Sequence, residues 1–168
     1  PKDMLPQHIG HETTGVPLVE EMNERLKVPS YYKTLSTKMC KLHTKTHRAF
    51  ELSNRKMYEL FKELDAYRND KLFNDFLLSC EADARGRTGL ENRIYDQPDY
   101  LRFCFDYSKN IDVKKFVEKG LKGAEIGEAV EAERIHKIQT AKHVYPPHLK
   151  QKAEENRKSF ENFDSLSN

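Results

Sequence analysis

The sequence predicts an all-α fold of about seven helices with no sheet. Apolar residues recur at three- and four-residue steps in one segment after another. No stretch alternates apolar and polar side chains, and no hairpin signal or internal repeat occurs. Proline, glycine and short polar residues fall between the periodic segments, where helices start and stop.

The segment up to Thr14 is polar and irregular and contains His8 and His11. Thr14 suits the N-cap of a helix over residues 15–27, with Pro17 in its first turn, Val16, Val19, Met22 and Leu26 on the inward face and Pro29 ending it. A second helix is predicted over residues 30–45, with Tyr32, Leu35, Met39, Leu42 and His43 inward. A third follows Ser53 as cap; Met57, Leu60, Phe61 and Leu64 form its stripe, and Asp65, four after Phe61, lies on the same face. A fourth starts near Asp70 and buries Leu72, Phe73, Phe76, Leu77, Cys80 and Ala84.

Gly86 and Gly89 are expected to stop that helix, since glycine closes a helix in the left-handed conformation without steric penalty. Residues 96–107 form a fifth helix around Tyr100, Leu101, Cys104 and Phe105, and residues 113–119 a short sixth capped by Asp112. Gly120-Leu121-Lys122-Gly123 then opens a helix over residues 124–142 that buries Ile126, Val130 and Ile138, ended by Val144-Tyr145-Pro146-Pro147. Residues 148–168, rich in Lys, Glu, Asn and Ser, read as a polar helix or tail.

With 37% hydrophobic and 33% charged residues, the chain is globular and not disordered. It has no apolar run near the ~20 residues of a membrane span. A net charge of +2 does not by itself argue for nucleic acid, so an RNA site must come from local clustering. Cys40, Cys80 and Cys104 have no CxxC spacing and read as buried free thiols of a reducing cytoplasmic protein.

Two features carry chemistry. His43 and His47, four apart, share a helix face at a spacing that can chelate a transition metal, with Asp65 as an oxygen ligand or anchor; a pair of solvated or core-edge histidines fits the same spacing. Arg85-Gly86-Arg87 places two guanidinium groups at a helix end. They compensate the helix dipole, or form a planar phosphate clamp. Lys122 and Gly123 precede a helix start, where free N–H groups favour an anion, and Lys114, Lys115 and Lys119 lie just before.

Ser79-Cys80-Glu81-Ala82-Asp83-Ala84-Arg85-Gly86-Arg87-Thr88-Gly89 resembles a segment of the bacterial tRNA nucleotidyltransferases (CCA-adding enzymes) of the multifunctional type with an HD phosphohydrolase domain. His8-Ile9-Gly10-His11, Arg25-Leu26-Lys27-Val28-Pro29, the stretch from His43 to His47, Leu64-Asp65-Ala66-Tyr67-Arg68 and Gly120-Leu121-Lys122-Gly123-Ala124-Glu125-Ile126 resemble that family in the same order, up to about residue 142.

The resemblance implies a C-terminal fragment of an enzyme that adds and repairs the 3′-terminal CCA of tRNA. Its associated metal-dependent domain would act as phosphatase, 2′-nucleotidase and 2′,3′-cyclic phosphodiesterase. It divides the chain into the end of an HD-type domain (1–70), a tRNA-binding helical body (71–147) and the polar tail (148–168). Arg85, Gly86, Arg87, Lys122 and Gly123 are then expected to meet tRNA, and His11, His43, His47 and Asp65 to belong to a metal site.

The intact protein would use Mg2+ with ATP and CTP for nucleotidyl transfer, and a divalent transition metal such as Ni2+ in the HD domain. This chain has no His-Asp dipeptide, and Thr44 follows His43 where family members carry Asp. The Asp-x-Asp carboxylates of nucleotide addition, which follow a Gly-Ser motif in the family, do not occur. The expectation is thus a fragment that positions tRNA, binds metal weakly or not at all, and performs neither reaction. A non-catalytic helical scaffold that dimerises through its apolar helices is the competing reading.

Overall fold

Seven α-helices and one 3-10 turn follow one another in a computed structural model that describes residues 10–86, 88–146 and 149. The helices are α1 (His11–Arg25), α2 (Ser30–His47), α3 (Asn54–Glu63), α4 (Asp70–Arg85), α5 (Gln97–Lys109), α6 (Lys114–Glu118) and α7 (Ala124–Val144), with the 3-10 turn at Ala49–Glu51. No strand occurs among the described residues, so the all-α fold stands. His8, Arg87, Pro147 and the tail apart from Leu149 lie outside the described residues.

Side-chain capping sets two of the seven helix starts. The Ser53 hydroxyl accepts from the Lys56 N–H at 3.2 Å, and the Asn69 side-chain oxygen Oδ1 accepts from the Leu72 N–H at 3.0 Å. Caps of this kind stabilise a helix by about 1 kcal/mol each. Helix α6 starts one residue later than expected, at Lys114, with Val113 and not Asp112 in the cap position; Asp112, one residue before, accepts from the Lys114 N–H at 3.0 Å. In α1 the expected cap does not operate. Gly10, at φ 81°, precedes the helix, and Thr14 sits inside it with its hydroxyl turned back to the Gly10 carbonyl. Pro17 therefore lies in the second turn, not the first.

The core is aromatic at its centre. Phe61 of α3 meets Phe73 of α4 and Phe105 of α5 edge-on, each with ring centroids 5.6 Å apart, and Phe73 lies 4.8 Å from Phe105. A second layer stacks Phe50 on Tyr100 at 4.5 Å and closes against Tyr145 past the end of α7. From α7 the core takes Ile138 and Ala141; Ile126 and Val130, expected inside, are only half-buried because that end of α7 runs past the core. Cys80 and Cys104 are buried free thiols, pushed up to about 12 by burial, and Cys40 is half-buried.

The first helix departs most from its expected face. Met22 is 43% exposed and Leu26 61%, while its one buried residue is Asn23, whose amide donates to the Ser36 hydroxyl at 2.9 Å. Tyr32 is likewise 58% exposed. Both belong to the α1–α2 pair at the edge of the bundle, where α1 packs on α2.

The start of α7 depends on one backbone conformation. Gly123 takes φ 52° and ψ −119°, which side-chain-bearing residues avoid. Gly123→Ala is expected to destabilise the fold by about 1–3 kcal/mol, read as a lower urea midpoint at unchanged slope. An unchanged midpoint would show that the turn adapts.

Candidate metal centre

Helix periodicity aligns Met39, His43 and His47 along one side of α2, and α4 packs on that helix so that its last turn delivers Asp83. The His43 and His47 rings are 5.6 Å apart, centre to centre. Asp83 Oδ2 lies 2.9 Å from His47 Nε2, and one donor atom from each of the three residues falls within 4.8 Å of the others. His11, at the start of α1, brings its Nε2 to 3.1 Å from His43 Nε2. Three helices therefore converge on one spot.

The surroundings favour ligation by neutral imidazole. Burial lowers the His47 pKa below the ordinary histidine value, and the Asp83 carboxylate opposes that shift. The Met39 carbonyl lies 2.9 Å from His43 Nδ1, so Nδ1 carries the proton and Nε2 keeps its lone pair. Two imidazoles and a carboxylate suit a divalent transition metal, and three protein ligands leave positions open for water or an oxyanion. Beside the centre runs a cleft of about 510 Å³ whose wall includes Val19, Tyr32, Leu35 and Met39, with His43 and Asp83 at the wall as well.

Asp65 does not join this group. Helix α3 ends at Glu63, and Asp65 follows in a turn at φ 55°, exposed and 3.9 Å from Arg68. The expected stripe position fails because the helix stops before reaching it. The carboxylate supplied instead, Asp83, is three residues after the buried Cys80 and so borders the apolar stripe of α4, a signal present in the sequence.

The arginine loop is also arranged differently. Arg85 is the last residue of α4; its guanidinium pairs with Glu81 at 2.6 Å and its Nε donates to the Arg93 carbonyl at 3.0 Å. One arm of the expected phosphate clamp is thus held inside the chain, and Arg87 lies outside the described residues. Gly86 has φ −75°, not a left-handed conformation; a Cβ there would lie 2.8 Å from the Ala82 carbonyl oxygen, and that close approach is what its glycine accommodates.

At the start of α7 the Glu125 carboxylate accepts from the Lys122 N–H at 3.1 Å, filling part of the expected anion position. Lys115 pairs with Glu133 at 2.8 Å. Lys114, Lys119 and Lys122 are exposed.

Comparison with known proteins gives consistent relatives. A multifunctional CCA protein of Teredinibacter turnerae is 44% identical over 148 residues, 88% of this chain and 36% of that protein. One from Pseudomonas fluorescens is 44% identical over 142 residues, and one from Alcanivorax borkumensis 43% over 142, each match covering 84% of this chain and 35% of the relative. The chain spans about a third of the length of the curated relatives it matches. No family model and no solved structure matches it.

Proposed function

We propose that this chain, homologous over most of its length to about a third of the multifunctional CCA proteins, is the helical part of a CCA-adding tRNA nucleotidyltransferase that holds part of a phosphohydrolase metal centre and helps to position tRNA. The convergence of His43, His47 and Asp83 carries the reading, because it assembles metal-ligand chemistry from two helices far apart in sequence.

In this reading His43, His47 and Asp83 hold a divalent transition metal, weakly, as three ligands without the family's His-Asp pair would. A bound metal would supply Lewis-acid activation of water toward a phosphate ester. The chain's own part is to place the proton of the neutral His43 ring on Nδ1 through the Met39 carbonyl and to favour neutral His47 by burial. His11 would then meet the metal or an oxyanion beside His43. The centre draws on residues on both sides of position 70, so the HD-type region of this reading includes the end of α4.

The tRNA role rests on the relatives and on Lys114, Lys119 and Lys122, which follow one another along α6 and the turn into α7. Phosphate contacts release counterions, so affinity should fall steeply with salt. We expect this chain to bind tRNA at low salt, measured by fluorescence anisotropy. Replacing the three lysines with alanine should flatten the log–log salt dependence by about one for each phosphate that is no longer neutralised. No binding at low salt, or an unchanged slope in the variant, would leave these helices as a scaffold.

A further inference from the structure

The two imidazoles of the centre are protonated at different nitrogens. At His43 a carbonyl that can only accept faces Nδ1, 2.9 Å away, so the proton sits there. At His47 it is Nε2 that faces a pure acceptor, the Asp83 carboxylate at 2.9 Å. The His47 proton therefore sits on Nε2, and Nδ1 is the acceptor for the hydroxyl of Tyr95 at 2.8 Å. His43 is set to ligate through Nε2; His47 has its proton on the nitrogen that points at Asp83.

Tyr95 is held in place. It is 5% exposed, in the segment between α4 and α5. Arg85 ties that segment to α4 through the Arg93 carbonyl, and the Gln97 amide donates to the His47 carbonyl at 3.2 Å. Burial raises the Tyr95 pKa, so the phenol keeps its proton. A carbonyl at this place would fix one tautomer of His47. A hydroxyl serves both, because it donates or accepts by rotation about its C–O bond.

We propose that Tyr95 is the positioning residue of this centre: its hydroxyl donates to His47 Nδ1 in the metal-free protein and accepts from Nδ1–H when Nε2 ligates a metal. The inference rests on reading His43, His47 and Asp83 as a metal centre. The exchange balances without a change of charge on the ring. Nε2 gives its proton to solvent water and directs the freed lone pair to the metal, Nδ1 takes one proton from solvent water, and the Tyr95 O–H bond rotates but does not break.

The test is long-range 1H–15N NMR of the histidine rings in the full chain, before and after adding Zn2+, with Tyr95→Phe measured alongside. The expected result is a His47 proton on Nε2 without metal and on Nδ1 with Zn2+. Tyr95→Phe, with its amide spectrum otherwise preserved, should bind Zn2+ about tenfold more weakly, the effect usual for a partner that orients a metal ligand. A metal-free proton on Nδ1, a proton unmoved by Zn2+, or an undiminished affinity in Tyr95→Phe would overturn the proposal. If Tyr95→Phe does not fold, the two wild-type spectra decide. Zn2+ shifts at His43 and His47 with the His47 proton unmoved would sink the Tyr95 role alone; no shift at either ring would sink the metal centre with it.

Discussion

Asp83→Ala is expected to weaken Zn2+ binding by at least the ~10–100-fold that loss of a mere outer partner costs, while Asp65→Ala leaves it unchanged. Both are acidic residues on the chain's surface, and both follow an apolar helical stripe. They differ in where the helix beneath them ends. Asp83 is inside α4 and reaches His47 Nε2 at 2.9 Å; Asp65 is past the end of α3, in a turn at φ 55° beside Arg68. In the proposed centre, removing Asp83 takes away a hard oxygen ligand and a charge that would offset the metal's own. The measurement is a Zn2+ titration followed on the His43 and His47 ring signals. Equal losses in the two variants would show that long-range charge, not ligation, sets the affinity.

The second large effect concerns the core. Phe61→Ala should destabilise the chain by about 3–5 kcal/mol, the usual cost of emptying a large aromatic site that cannot collapse. Phe61 is fully buried and its ring touches Phe73, Phe105 and Tyr67, so a cavity there opens between three helices. Leu26→Ala is the control: its spacing in the sequence points inward, yet it lies just past the end of α1 and is 61% exposed. Its substitution should change stability by no more than about 0.5 kcal/mol. Urea midpoints of the two variants check this directly. A large loss at Leu26 would mean that α1 is covered in solution, which is the behaviour of the dimerising scaffold.

The centre was half legible in the sequence. The spacing of His43 and His47 placed two imidazoles on one face, because an i, i+4 relation follows from helix pitch alone. His11 was named only through family resemblance, and the fold brings it to 3.1 Å from His43. Asp83 and Tyr95 were missed. Asp83 stood on the rim of a predicted apolar stripe, and Tyr95 sits in a linker with no periodicity to interpret. The arginine loop was legible in its composition and not in its pairing. Its composition suits a phosphate clamp, and in the fold Arg85 takes near partners in Glu81 and the Arg93 carbonyl.

By itself the sequence determined whatever depends on near neighbours. The helical class, the helix starts set by Ser53 and Asn69, and the histidine pair all arise within a few residues of chain, where pitch and capping decide the outcome. Only the tertiary structure decided which carboxylate meets the histidines, that Arg85 also donates to the Arg93 carbonyl, and that Met22 and Leu26 stay exposed at the edge of the bundle. Those outcomes depend on which helix packs on which. A hydrophobic stripe demands a partner surface without specifying which one, so residues 36 positions apart, such as His47 and Asp83, find each other only in the folded chain.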